Sequence, residues 1–256
     1  MAAGAALITG ASSGIGRELA QLCAAAGLPV VLVARNEAAL RDLAGQLGPR
    51  SRVLAADLSD PAAPAALFDQ LRETPVEILI NNAGFGVRGP FSETDWAEES
   101  RLFQVNVVAL AHLTKLFLPL MLQRRSGRIL NVASTAAFVP GPFMAAYYAS
   151  KAFVRSFSEA LAEEVAGTGV TVTVLCPGPT HTGFAANAGI DRVPLFRGPA
   201  MEAREVARIG FAAMMAGRRE AVAGARNRIM MFFTRLAPRT TLAAVTRRLN
   251  GGAVRN

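Results

Sequence analysis

The chain has 256 residues, of which 52% are hydrophobic, with a mean hydropathy of +0.31; this is enough for one large α/β domain or two small ones and excludes a disordered tail. The net charge of +8 is concentrated at one end: from Arg197 onward twelve arginines face only Glu202, Glu205 and Glu220, so the preceding chain is near neutral. Cys23 and Cys176 lie in apolar segments and exclude a disulfide framework, no signal-peptide pattern opens the chain, and the longest apolar candidate, Leu102–Leu122, is interrupted by Lys115 and Pro119, so a soluble, cytoplasmic protein is expected.

Short apolar runs alternate with helical patterns. Ala5–Thr9 is an apolar run, and Gly14–Ala26 follows with Ile15, Leu19, Leu22 and Cys23 at helical spacing. Pro29–Ala34 is β-branched, and Glu37–Leu47 is helical. Arg52–Ala56 reads as a strand, and Asp60 with Pro61 opens a helix over Pro61–Arg72. Glu77–Asn81 is a strand, Trp96–Leu122 one long helix, and Gly127–Ala133 a strand. Tyr147–Ala166 is a helix and Val170–Leu175 a strand. Strands that are continuously apolar and separated by helices of ten or more residues predict βαβ units and a parallel sheet buried on both faces. No repeat or linker interrupts the pattern, so one α/β domain is expected over residues 1–256.

Thr9-Gly10-Ala11-Ser12-Ser13-Gly14-Ile15-Gly16 joins the first strand to the first helix. Glycine suits such a turn because the backbone must take positive φ and approach a pyrophosphate closely, and the helix start offers it free N–H groups. The G-x-x-x-G-x-G spacing differs from the common G-x-G-x-x-G. The same residues match G-x-S-x-G, with Ser12 as a nucleophile, but a hydrolase would draw on His112 or His181 and leave the tyrosine and lysine below unexplained. The second strand ends Ala34-Arg35, where an acid would hold a ribose 2′-OH. An arginine suits a 2′-phosphate, so NADP(H) is expected over NAD(H).

Tyrosine and lysine are rare, two of each, yet Tyr147, Tyr148 and Lys151 fall within five positions. Tyr147 and Lys151 are four apart on a helix and share a face. An ammonium there would stabilise a phenolate and bring its pKa toward the working range. Tyr148 has Ala152 at the matching position and lacks this partner. Ser134, at the end of the strand before, offers a hydroxyl to a carbonyl oxygen; Thr135 is the competing hydroxyl.

Taken together, Thr9–Gly16, Asn81-Asn82-Ala83-Gly84, Asn106, Ser134, Tyr147-x-x-x-Lys151 and Pro177-Gly178-x-Thr180-x-Thr182 resemble the short-chain dehydrogenase/reductase family, over about Ala5 to Thr182. The resemblance implies a Rossmann fold, a doubly wound parallel sheet of about seven strands with helices on both faces. It implies a nicotinamide-dependent enzyme acting on CH–OH groups, with no metal. Tyr147 would exchange the proton with the carbonyl oxygen, Lys151 would lower its pKa and hold the nicotinamide ribose, and Ser134 would polarise the carbonyl. Asn106 would anchor a water relaying protons to Lys151. Gly10, Ser12, Ser13, Gly14, Ile15 and Gly16 would hold the phosphates. Asp57 and Leu58 would contact adenine; Asn82, Ala83 and Gly84 would support the cofactor; Pro177, Gly178, Thr180 and Thr182 would frame its nicotinamide end. Ala133 departs from the second serine of many relatives. Homodimers or homotetramers are common in the family.

Residues 1–182 would then form the cofactor-binding and catalytic core, and 183–200 a lid carrying Phe184, Leu195 and Phe196. Phe138, Val139, Phe143 and Met144 would line an apolar pocket for a hydrophobic ketone or a 3-oxoacyl thioester. The basic extension over 226–256 admits three readings: a peripheral membrane contact, an oligomer contact, or steering of an anionic substrate, with packing plus steering favoured. Nucleic acid is not expected as a partner. The competing functions are a catalytically silent NADP-binding regulator or scaffold, and an epimerase or dehydratase, for whose larger substrate domain the chain lacks room.

Overall fold

The structure, a computed structural model, describes residues 4–184 and 200–251. Nine strands are described: β1 (Ala5–Thr9), β2 (Val30–Ala34), β3 (Ser51–Ala55), β4 (Val76–Asn81), β5 (Gly127–Val132), β6 (Val170–Cys176), β7 (Thr180–His181), β8 (Met201–Glu202) and β9 (Glu220–Val222). Seven form a parallel sheet in the order β3-β2-β1-β4-β5-β6-β9, while β7 and β8 pair separately. The helices are α1 (Gly14–Ala25), α2 (Glu37–Leu47), α3 (Ala63–Gln70), α4 (Trp96–Phe103), α5 (Leu110–Arg124), α6 (Ala145–Glu164), α7 (Ala203–Met215), α8 (Ala225–Phe233) and α9 (Arg239–Leu249).

The period-2 alternation of strand side chains divides the core between the two faces of the sheet. Leu7, Leu79 and Ile129 point to one face, where Leu67 of α3 and Leu113, Phe117 and Met121 of α5 cover them. Ile8, Ile80 and Leu130 point to the other, against Leu19 and Cys23 of α1, Leu40 and Leu43 of α2 and Val206 of α7. This is the expected doubly wound arrangement. The chain runs outward from β1 to β3 and then returns to β4 on the other side of β1. At that reversal the turns after β1 and β4 diverge and leave a crevice at the carboxyl ends of the strands.

The helix expected over Trp96–Leu122 is present as one continuous helical run, Trp96–Arg124, with a change of winding inside it. Between α4 and α5, Gln104–Ala109 forms a π turn. Asn106 lies in it, fully buried, and its amide is drawn toward the turn after β4: Nδ2 donates to Phe85 O (3.0 Å) and Ser150 Oγ (3.1 Å), and Oδ1 accepts from Phe85 N (3.1 Å). The widened turn aims this side chain away from the α-helical row, a recurrent use of π-bulges near functional sites. By length and composition Trp96–Arg124 is apolar enough to cross a membrane, but Leu113, Phe117 and Met121 lie in the core against the sheet. The predicted start at Pro61 moves to Ala63, because Asp60 Oδ1 accepts from Ala62 N and closes a turn first.

Polar groups at the carboxyl ends of β4 and β5 form a buried network. Asn81 Nδ2 donates to Thr114 Oγ1 (3.1 Å) and Asn131 Oδ1 (2.9 Å), and Asn131 Nδ2 donates to Ser158 Oγ (2.9 Å). The network ties α5 and α6 to the strands they cover, and so sets the height of α6 above the crevice.

Gly16 lies inside this frame, its Cα facing Gly10 O and the Asn82 amide so closely that a Cβ would overlap both. Gly16→Ala is therefore expected to destabilise the protein by about 1–3 kcal/mol, the usual cost of overpacking, read as a lowered Tm in thermal unfolding; an unchanged Tm contradicts the packing described.

Candidate active site

The crevice is a cleft of about 700 Å³. Its polar end is built on the turn after β1. Gly10 and Gly14 both take positive φ, +67° and +54°, which side chains bearing a Cβ adopt only with strain. A Cβ at Gly14 would also press on Thr182 Cγ2 at 2.9 Å. α1 starts at Gly14 with no side-chain hydrogen bond from its cap residue Ser13 and no acid in its first turn. Its first amides are thus free of competing side-chain acceptors at the cleft, next to Ser12, Ser13 and Ile15 in the lining.

Thr9 and Asn82 hold this turn in place. Thr9 Oγ1 accepts from Asn82 N (3.0 Å) and Ala83 N (3.1 Å) and donates to Ile80 O (3.3 Å). Asn82 Nδ2 donates to Thr9 O (3.0 Å) and Gly10 O (3.2 Å). The Asn82 amide is therefore engaged with the neighbouring turn, while Ala83 and Gly84 join it in the cleft wall.

Beyond the turn, Arg35 is exposed at the end of β2, and Asn36 caps α2 by accepting from Ala39 N. Asp57 and buried Leu58 follow β3. Against the opposing effect of burial, hydrogen bonds from Ser59 and the charges of Arg35 and Arg101 hold the Asp57 carboxyl below its ordinary value. Arg101, from α4, is an additional cleft residue that the motif spacing did not reveal.

The chemical centre lies where α6 meets β5. Ser134 caps the short 3-10 turn Thr135–Phe138: Oγ accepts from Ala136 N (3.1 Å) and donates to Pro177 O over a long 3.4 Å. Thr135 also lines the cleft. α6 begins at Ala145, two residues before its expected start, so Tyr147 and Lys151 fall in its first turns, both buried. Lys151 Nζ donates to Val132 O (2.9 Å) and sits 5.9 Å from the centroid of the Tyr147 ring. Burial pushes the Tyr147 phenol above its ordinary value; the Ser134 hydroxyl pulls it down, and Tyr148 adds to the rise. Burial pushes Lys151 the opposite way, to about 8. In the protein alone desolvation dominates at Tyr147, and the contact that lowers it is the Ser134 hydroxyl.

Asn106 stands behind the cleft wall, where its amide is engaged by Phe85 and Ser150. Ser150 Oγ in turn donates to Tyr147 O (2.7 Å), so Asn106 positions α6 through that contact. Gly16 is likewise a packing residue outside the lining. Pro177, Gly178, Thr180 and Thr182 do border the cleft, but the threonine side chains serve their own loop: Thr180 Oγ1 donates to Gly178 O and Thr182 Oγ1 accepts from Phe184 N. Neither histidine lines the cleft, which leaves Ser12 without the base a hydrolase requires.

The other end of the cleft is apolar. Val139 and Met144 line it as expected, whereas Phe138 packs under Arg155 at 4.2 Å and Phe143, at φ +65°, faces Arg247. Phe184 stands 5.2 Å from the Tyr147 ring. The lid expected over 183–200 otherwise lies outside the described residues. Met231, Leu242 and Thr246 of α8 and α9 close the wall, so the extension packs onto the site. Asn250 fixes its end. Fully buried, it accepts from Tyr148 OH (3.2 Å), donates to Pro142 O (2.9 Å), and through its carbonyl accepts from Arg88 Nε (3.1 Å). No local pattern marked Asn250, because each of these three partners is more than a hundred residues away.

The short chain dehydrogenase family model matches residues 4–192. The chain belongs to that family. It is similar to a ketoacyl reductase, HetN, of Nostoc sp., at 36% identity over 190 residues, 72% of this chain and 66% of that protein. Among solved structures it resembles a short-chain dehydrogenase of Sphingobium yanoikuyae in complex with NADPH (34% identity, TM-score 0.81, 91% of this chain and 94% of that one). It also resembles one of Burkholderia phymatum in complex with NAD (30% identity, TM-score 0.82, 91% and 92%). The match spans 59–66% of the length of the first curated relatives.

For this short-chain dehydrogenase the Lys151 value sets a pH dependence. The folded value, about 8, lies below the ordinary 10.5, so the ammonium is present below about 8 and lost as pH rises through it. Any step that uses the Lys151 charge is expected to weaken above about pH 8, and Lys151→Arg should flatten that limb of the activity profile. A profile unchanged in the variant refutes the assignment.

Proposed function

We propose that this short-chain dehydrogenase is an NADP(H)-dependent oxidoreductase that interconverts a carbonyl and an alcohol, acting on a hydrophobic ketone or a 3-oxoacyl thioester. Its main support is one buried phenol, Tyr147, beside Ser134 and Lys151, in a cleft with a glycine cradle at one end and an apolar wall at the other.

The polar end fits a dinucleotide. Gly10 and Gly14 keep the floor of the turn free of side chains, and the α1 amides suit a pyrophosphate. A nicotinamide cofactor, when bound, supplies or accepts the hydride at the carbonyl carbon. Tyr147 gives its proton to the carbonyl oxygen in reduction and takes it back in oxidation. Ser134 turns its hydroxyl from the long contact with Pro177 O to the same oxygen. Lys151 holds the ribose and offers the phenolate a nearby cation. One similar structure carries NADPH and the other NAD, so the cofactor preference rests on Ala34 and Arg35, an exposed guanidinium where an acid would favour NAD. The apolar wall, and the likeness to a ketoacyl reductase, support the substrate class.

The buried free thiols Cys23 and Cys176 suit a reducing, cytoplasmic setting. Exposed Val108 and Phe153 suit a homodimer or homotetramer.

Tyr147→Phe is expected to cut turnover by about 10²–10⁴-fold, the usual worth of a general acid–base group, with NADPH affinity in fluorescence titration nearly unchanged; near wild-type turnover removes Tyr147 from the chemistry. NADPH should be preferred over NADH by about tenfold or more in kcat/KM, and Arg35→Ala should erase most of that factor, equivalent to about 1.4 kcal/mol per tenfold; a tenfold preference for NADH sinks the cofactor assignment. NADPH oxidation across ketones and 3-oxoacyl thioesters of graded length identifies the substrate.

A further inference from the structure

Between Ala221 and Gly251 the chain holds six arginines and no acidic residue. α8 divides its residues between two faces. Met231 is buried and, with Met230 and Thr234, borders the cleft. Ile229 and Phe233, two positions to either side of Met231, lie across the helix from it and are 61% and 59% exposed. Phe232 and Leu236, at 59% and 72%, extend the same apolar surface. Arg226, Arg228, Arg235 and Arg239 are exposed around it.

The inner face of the extension is committed to its own chain through Met231, Thr246 and the hydrogen bonds of Asn250. Among the described residues the outer face has no such use. Four large apolar side chains at this exposure, contiguous and ringed by arginine, complement a surface where hydrocarbon lies beneath anionic headgroups. A second copy of the chain is a poorer occupant. Two-fold pairing would bring six arginines against six, with no carboxylate from either segment to offset them. The patch also runs into the cleft mouth, because Met230, Val245 and Leu249 both border the cleft and remain partly exposed.

We propose that this face of α8 and the turn after it seats the protein on an anionic bilayer surface and turns the cleft mouth toward the lipid, so that an apolar substrate reaches Tyr147 from the membrane. The seat stands on the surface alone; the delivery of substrate rests on the oxidoreductase reading above.

The seat is tested by co-sedimentation of the full chain with vesicles of phosphatidylcholine, and with vesicles of equimolar phosphatidylcholine and phosphatidylglycerol. Binding to the anionic vesicles should be about tenfold or more stronger and should weaken with salt. The double variant Phe232→Ser/Phe233→Ser alters exposed side chains outside the cleft lining. It should keep its Tm and its turnover of a short, water-soluble ketone but lose about tenfold in vesicle binding. Arg226→Gln/Arg228→Gln should reduce the preference for anionic lipid. No binding, equal binding to both vesicle types, or unchanged binding by the serine variant overturns the seat. So does a serine variant that only loses self-association in sedimentation velocity, which assigns the patch to a second copy. Delivery is read with a long-chain ketone dissolved in the anionic vesicles, on which the serine variant should be slower and the wild type not. Equal rates overturn delivery. Intact vesicle binding with no turnover of any carbonyl leaves the seat supported and rejects the oxidoreductase reading instead.

Discussion

The close approach of the turns after β1 and β4 governs the rest of the site. Thr9 takes two backbone N–H groups from the β4 turn and gives its own hydrogen to Ile80 O, while Asn82 returns two hydrogen bonds to the β1 turn. The two backbones can lie this close only because Gly10 and Gly16 bring no side chain between them. From that junction the cradle opens to one side. On the other side a chain of hydrogen bonds runs from Phe85 through Asn106 and Ser150 to the backbone of Tyr147. The phosphate end and the phenol are therefore registered to each other through a few short contacts, which suits chemistry that depends on orientation.

Burial acts oppositely on the two titratable groups at the centre. It penalises a phenolate and an ammonium alike, so Tyr147 rises while Lys151 falls to about 8. In the protein alone, the lysine is the group closest to the working range. The long Ser134–Pro177 contact leaves the serine hydroxyl weakly engaged, which a carbonyl oxygen can exploit at little cost.

The extension joins the site to the surface. Its inner residues complete the apolar wall, and Asn250 anchors its end beside Tyr148. The second tyrosine of the pair thus acquires a structural partner in place of the lysine it lacks. The same helix exposes Ile229 and Phe233 outward, so one short element has both a lining face and a free face.

The sequence by itself determined the alternation of strands and helices, the glycine turn, and the pairing of Tyr147 with Lys151. Each is written in local spacing: period 2, period 3.6, or a fixed motif. Ser134 and the Pro177–Thr182 loop, also read from motifs, border the cleft. What only the tertiary structure decided involves distant partners. Asn106 sits in a π turn and is held by Phe85 and Ser150, partners that its own helix does not supply. Phe138 and Phe143 leave the pocket because Arg155 and Arg247 offer them other contacts. The direction of the Tyr147 shift follows from desolvation, which no neighbour in sequence reports. Asn250 closes the wall across more than a hundred residues of intervening chain, and a hydrogen bond of that span leaves no periodicity to read.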